Sequence, residues 1–343
     1  IMAAATVGFY IGNVWFLMFV LFMMGVHSTF FGPIKFALLP QHLEDDELLL
    51  GNAYIEAGTF LSILFGTILG GVLILQPQGV TMVSFALLLV AVIGYISSRY
   101  IPVSPAPEPK LVISKNIWRA TWRMVVFSRE NKRVFLCIIG ISWFWLVGAT
   151  YLAQFPTYAK DALHAQPEVV TLFLTVFSLG IGLGSFLCNK LLGGVIKSNY
   201  VPISMFGMTL FGVDLYLASI HDVPIGMVAS PLISLGEFVS SLTNLRILFD
   251  LLMIAVCSGL YIVPLYAIMQ HDSSPQHRAR IIAANNVVNA IFMVAAAVIA
   301  LALLSAGFSI PQVFLFMAVG NGFVAVYIWR LLPKIRKKTK QHE

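Results

Sequence analysis

The sequence predicts an all-α membrane protein of nine full spans plus a partial one, built as two related halves. Three observations predict it. Of 343 residues, 59% are hydrophobic and 10% charged, against about 45–50% apolar and about 25% charged in a soluble domain. Apolar runs recur at the length that about 30 Å of hydrocarbon requires, roughly 20 residues at 1.5 Å each. The basic residues collect at alternate ends of those runs.

The qualifying runs are 14–39, 48–75, 80–98, 134–155, 169–190, 200–219, 247–269, 279–307 and 312–330. An earlier stretch, "IMAAATVGFYI", is too short to cross. With no charged region ahead of it and no small-residue cleavage site after it, it reads as the tail of a span and not as a signal peptide. If the tail "RLLPKIRKKTKQHE" is cytoplasmic and each span reverses the side, only Lys160 and Arg246 of the 21 basic residues fall on the other face. That skew follows the positive-inside rule. The net charge of +6 then reports topology and contact with anionic lipid, and no basic soluble region suggests nucleic-acid binding.

The polar interval from Arg99 to Arg133 divides the chain. Its "PVSPAPEPK" suits an extended connector, since proline fixes φ and lacks a donor. In "NIWRATWRMVVF" the apolar Trp118, Trp122 and Val125 recur at i, i+4 and i+7 beside Arg119 and Arg123, a pattern for an amphipathic helix lying at the membrane surface. A plain solvated linker is the alternative. The expected divisions are an N-terminal half of about four helices over 1–105, a cytoplasmic linker over 106–133, a six-helix half over 134–330 and a basic cytoplasmic tail over 331–343.

The two parts echo each other. "GPIKFALLPQH" from Gly32 and "VPLYAIMQH" from Val263 each place a proline near a span end and a Gln-His before a short polar loop. The spans that follow carry polar pairs one helical turn apart, Asn52 with Glu56 and Asn285 with Asn289. Related halves in one membrane chain indicate a secondary transporter with its site between the repeats. Three spans precede the second echo helix and only the short stretch precedes the first, so the repeat predicts that the first two helices of a six-plus-six design are missing. Pro33 and Pro264 are expected to break the backbone ladder where a gating helix flexes, or to serve packing alone.

Six plus six around a basic central loop is the arrangement of the major facilitator superfamily. "STFFGPIKFALLPQHL", "GNAYIEAGTFLSILFGTILGGVL", "ISWFWLVGATYLAQFP" and "GLYIVPLYAIMQ" with "AANNVVNAIFM" resemble the lysophospholipid transporters of that superfamily. The likeness runs over nearly the whole chain. It is nearest to the transporter part of chains fused to an acyltransferase and an acyl-carrier-protein synthetase. The resemblance implies movement of lysophospholipid, of the lysophosphatidylethanolamine kind, across a bacterial inner membrane for reacylation by a cytoplasmic acyltransferase. The implied partners are that substrate, membrane lipid and the acyltransferase, with no cofactor. Efflux of drug-like amphiphiles by the same fold and an inactive truncated remnant are the other readings. An enzyme is disfavoured: His42 with the "EDDE" run makes no His-x4-Asp pair, and no serine elbow, metal cluster or catalytic carboxylate pair appears.

The candidate substrate or coupling residues are the polar groups inside the spans. Glu56, on one face with Asn52 and Thr59, should face the interior because a carboxylate at that depth is costly in lipid; a headgroup, a coupling cation or a structural network would each explain it. Lys35 either snorkels to headgroups or holds a phosphate. His27, two turns away near the same face, is a proton-linked group or a neutral bonded imidazole. Gln154, Asn285 and Asn289 complete the set, with Asn286 on another face. Asp214 and Asp250 sit near span ends, where water is expected to reach them. Cys137, Cys188 and Cys257 read as small core residues. Gly180 with Gly184, and Gly66 with Gly70, are small-xxx-small pairs; in the resembled fold their two helices pack at the seam between the halves.

Overall fold

The computed structural model describes residues 1–105, 116–220 and 232–339, without the side chains of Ile117, Trp118, Ala120 and the residues from 330 onward. The proline-rich connector beyond 105, the Trp118 ring and the last four residues of the basic tail therefore lie outside the described residues. The nine expected spans all fold as helices long and apolar enough to cross a membrane. The only β pairing among the described residues is an isolated bridge between Ala165 and Ile233.

In chain order the helices are α1 (Met2–Ile11), α2 (Val14–His42), α3 (Leu48–Ile74), α4 (Gly79–Ser98), α5 (Ile117–Ser128), α6 (Lys132–Thr157), α7 (Pro167–Leu192), α8 (Tyr200–Ile220), α9 (Leu235–Ser240), α10 (Leu242–His271), α11 (Pro275–Ser305) and α12 (Ile310–Thr339). Their starts follow from capping chemistry. Asn13, Asn116 and Asn131 each lend a side-chain oxygen to the first turn of α2, α5 and α6, and Pro167 opens α7, where a missing N–H costs nothing. Gly12 closes α1 at φ 67° and Gly193 closes α7 at φ 58°, conformations that suit glycine. Before α9, the Ser234 backbone N–H and hydroxyl both bond the Glu237 carboxylate and hold it below the ordinary range of a glutamate.

Several boundaries differ from the sequence reading: α2 runs on to His42, α11 starts at Pro275, and α12 continues to Thr339, into the expected tail. α10 begins at Leu242, five residues before the expected start at 247. The charge of Arg246 ends the hydropathic run, but Asp214 of α8 pairs with it, Nε to Oδ2 at 2.9 Å, so the helix carries it. α6 runs on past Pro156 into a π-helical turn, Tyr158–Ala162. The prolines do not break their helices: α2 is continuous through Pro33 and Pro40, and α10 through Pro264.

α1 to α4 pack among themselves, as do α6 to α12, and the two sets meet where α2 and α3 lie against α7, α10 and α11. α10 is the central element, buried along most of its length, whereas α2 and α4 bury little. The exposed side chains of α1 to α4 are large and apolar, Trp15, Phe22, Phe30 and Phe85 among them, as expected for surfaces that face lipid tails. α5 forms a helix at one end of the bundle. It packs on α11, with the Phe127 ring edge-on to His277 at 4.8 Å, and leaves Trp122 exposed.

The glycine pairs divide in a way the sequence did not show. α3 and α7 do pack together, but Gly180 and Gly184 face α10, not α3. A Cβ on Gly184 would stand 2.0 Å from the Val256 carbonyl oxygen, and one on Gly259 of α10 would stand 2.4 Å from that of Ile181. Gly182, between the pair, is the residue that meets Ala57 of α3. A Cβ on Gly66 or Gly70 would meet nothing within 4 Å. The small residues thus weld α7 to α10 by backbone-to-backbone approach. Gly184→Ala is expected to cost about 1–3 kcal/mol or more, since the obstacle is main chain and cannot rotate away. Gly66→Ala is expected to be neutral or slightly stabilising. Thermal unfolding of the two variants in detergent measures the contrast, and equal behaviour would refute the weld.

Candidate functional site in the seam

Two layers of polar groups occupy the place where α2 and α3 meet α6, α10 and α11. The layer nearer the α5 end is fully bonded. Asn52 of α3 and Gln270 of α10 exchange a reciprocal amide pair, Asn52 Nδ2 to Gln270 Oε1 at 2.7 Å and Gln270 Nε2 to Asn52 Oδ1 at 3.1 Å. Asn52 also donates to the Leu48 carbonyl at 2.8 Å, and Gln270 donates to the Phe36 carbonyl at 3.1 Å. That last acceptor is free for a covalent reason. Phe36 lies four residues before Pro40, which has no N–H to give it. Both amides are completely buried.

Further contacts close the same end. Arg278 of α11 donates to the Gln270 carbonyl at 2.8 Å and reaches the Pro40 carbonyl at 3.5 Å, so one guanidinium covers the last turns of α10 and α2. His271 Nε2 lies 3.4 Å from Asp45 in the loop after α2, and Arg133 pairs with Asp272 at 3.1 Å. The Phe36 and Tyr266 rings stack across the seam at 4.2 Å.

The deeper layer is not fully bonded. Glu56, one turn beyond Asn52, is 1% exposed and its Oε2 has no hydrogen-bond partner. Lys35 is the cation that faces it, yet the ammonium lies beyond ion-pair distance and donates to Thr59 Oγ1 at 3.2 Å. Asn285 is completely buried with neither amide atom in a hydrogen bond of good geometry. Asn289 accepts from Ser142 of α6 at 2.7 Å. The Tyr266 hydroxyl takes Trp145 Nε1 at 3.4 Å and has Glu56, Asn285 and Asn289 as polar neighbours. Aromatic rings complete the surround, Phe60 lying 6.3 Å from Trp145 and 6.1 Å from Phe144. A buried acid with one unpaired oxygen and a buried amide short of well-formed hydrogen bonds, opposite an amine and walled by aromatics, can accept a molecule with an anionic and a cationic group on an apolar body.

Of the sequence-predicted residues, the structure brings together Asn52, Glu56, Lys35, Asn285 and Asn289. His27 stands apart: it is exposed and stacks on Phe31 of its own helix at 6.2 Å. Eight residues of helix place it about 12 Å along α2 from Lys35. Gln154 also stands apart, nine residues and about 13 Å along α6 from Trp145, half-buried and with no side-chain hydrogen bond among the described residues. Asn286 turns to α2, where its amide covers Gly32. Sequence reasoning missed Gln270, Tyr266, Trp145 and Ser142. Gln270 sits in the echo "MQH", but nothing there shows that it reaches across while its counterpart Gln41 turns back toward the Ala37 carbonyl of its own helix. Asp250 corrects a further expectation, being wholly buried and not reached by water. The three cysteines are buried and unpaired, and no group of metal-ligating side chains occurs among the described residues.

The family model of the Major Facilitator Superfamily matches residues 1–252. Among curated proteins, the chain is similar to the lysophospholipid transporter LplT of Serratia proteamaculans, 24% identical over 255 residues, which covers 72% of this chain and 56% of that one. The LplT proteins of Escherichia fergusonii and of Enterobacter sp. strain 638 match at 24% and 25% over the same shares. The chain thus spans a little over half the length of these relatives.

The reciprocal amide pair makes a sharp expectation. Gln270→Met strands Asn52 in the seam and Asn52→Leu strands Gln270, each at about 1–3 kcal/mol. The double variant removes both partners and should cost clearly less than the sum. Thermal unfolding of the four proteins gives the coupling, and strict additivity would contradict the pairing.

Proposed function

We propose that this chain, which belongs to the major facilitator superfamily, carries a lysophospholipid across a bacterial inner membrane by alternating access, with the seam as its substrate site. One observation carries the reading: a buried carboxylate and a facing ammonium that are not in ion-pair contact, walled by aromatic rings. A lysophosphatidylethanolamine headgroup has the complementary charges. Its ammonium suits Glu56, its phosphate suits Lys35, and its single acyl chain suits the aromatic and lipid-facing surround. The names of the relatives support the same substrate.

The basic skew supports a cytoplasmic α5 end and, with it, a cytoplasmic C-terminus. In that frame the bonded layer of Asn52, Gln270 and Arg278 is a closed cytoplasmic gate, and the unsatisfied layer behind it is accessible from the other side when the substrate enters. Residues 1–105 and 134–330 act as the two rocking bodies, and a cytoplasmic acyltransferase is the partner that consumes the product.

The test is uptake of lysophosphatidylethanolamine into proteoliposomes and its conversion by an enclosed acyltransferase. Glu56→Gln and Lys35→Gln should each lower uptake about tenfold or more, the equivalent of one charge-assisted hydrogen bond. Diacyl phosphatidylethanolamine should move poorly, since a second chain has no place beside the first. Dye transport at full rate with no lysolipid uptake would replace this reading with efflux of drug-like amphiphiles.

A further inference from the structure

A second buried acid lies far from the seam, at the bundle end opposite α5. Asp250 is on α10, two turns from its start, and it is completely buried although it is a carboxylate. Among the described residues no donor reaches either of its oxygens. Among the described residues, the titratable and charged groups that face it are few. Asp214 of α8 approaches it carboxyl to carboxyl, Arg246 lies one turn back on its own helix, and Tyr151 on α6 and Tyr158 on the π-helical turn are within electrostatic range of it. Arg246 is already engaged, since its Nε and Nη2 both bond Asp214. The Tyr158 hydroxyl is engaged as well, with Ser219 Oγ at 2.6 Å.

The charges do not balance if both acids are ionised. One guanidinium serves two carboxylates, and both of its bonds go to the more exposed of them. Two facing carboxyl groups attract only when one holds a proton that it donates to the other. A metal ion would need several oxygen ligands, but the Asp214 oxygens are taken by Arg246 and no metal-ligating group of three occurs among the described residues. A proton needs just one acceptor.

We propose that Asp250 is a proton-binding site, separate from the seam, in which the proton on Asp250 is shared toward Asp214 and its release to water leaves two carboxylates competing for Arg246. Release would therefore loosen the bond by which Arg246 of α10 holds Asp214 of α8, and so change how these two helices pack. The site stands independently of the substrate read for the seam.

The test uses the protein in lipid nanodiscs with no substrate. Infrared difference spectra across a pH titration should show the carbonyl stretch of a buried, protonated carboxyl group. That band should be absent in Asp250→Asn, a nearly isosteric change, and present in Glu56→Gln. In Asp214→Asn it should vanish at lower pH than in the unaltered protein, because the opposing charge that holds the proton is gone. Labelling of the unaltered protein with dicyclohexylcarbodiimide, which attacks protonated carboxyls in apolar surroundings, needs no variant. Mass spectrometry should find the adduct on Asp250 and not on Asp214, falling about tenfold per pH unit above the midpoint. A band that survives Asp250→Asn, an unmoved midpoint in Asp214→Asn, or an Asp250 unlabelled at every pH would overturn the proposal.

Discussion

The reciprocal amide pair of Asn52 and Gln270 is the constraint from which the seam takes its form. Inside a bilayer a polar group has no water to fall back on, so an amide on each of two facing helices can be buried only if the other meets it. That requirement fixes the approach of α3 to α10. The third helix enters through proline chemistry: Pro40 withholds an N–H, the Phe36 carbonyl is released, and Gln270 takes it. Arg278 then covers the carbonyl ends of the two proline-bearing helices together. Every partner of Asn52 and Gln270 is accounted for, and that completeness is what makes the unpaired Glu56 oxygen and the poorly bonded Asn285 amide behind them stand out.

The two ways of joining helices in this molecule differ in reversibility. α7 and α10 are joined by glycines at backbone contact, a steric fit that tolerates no sliding. The helix sets on either side of the seam are joined at the α5 end by hydrogen bonds and ion pairs. Such bonds between membrane helices are worth about 0.6 kcal/mol on average, so a handful can be exchanged for the polar groups of an arriving ligand. A rigid body on one side and a polar, exchangeable contact on the other are the parts an alternating-access machine requires.

Spans were legible because hydropathy and helix length are local properties, and all nine appear where the apolar runs lie. Half of the seam was legible for a similar reason. Asn52, Glu56, Asn285 and Asn289 are polar residues on apolar helices, and their cost in lipid alone points them inward. The same logic over-reached at His27 and Gln154. Depth in a span says nothing about which face is covered, and the structure leaves the His27 ring exposed against Phe31. Pro33 drew attention because it sits deeper in the hydrophobic run, yet the proline with a consequence across the seam is Pro40. Its effect is exerted four residues back, through a carbonyl that only the fold brings within reach of Gln270. Asp250 was misread because distance from a span end is a poor guide to burial: two turns into α10, the group is wholly covered by the packed bundle.

If the bonded layer is a gate, it must open in every cycle. A cysteine at Asp45 and another at His271, whose native side chains lie 3.4 Å apart across it, allow the gate to be locked by oxidation and freed by reduction in proteoliposomes. The oxidised protein should bind lysophosphatidylethanolamine without delivering it, and reduction should restore delivery. Undiminished delivery by the fully cross-linked protein would contradict a gate at this layer.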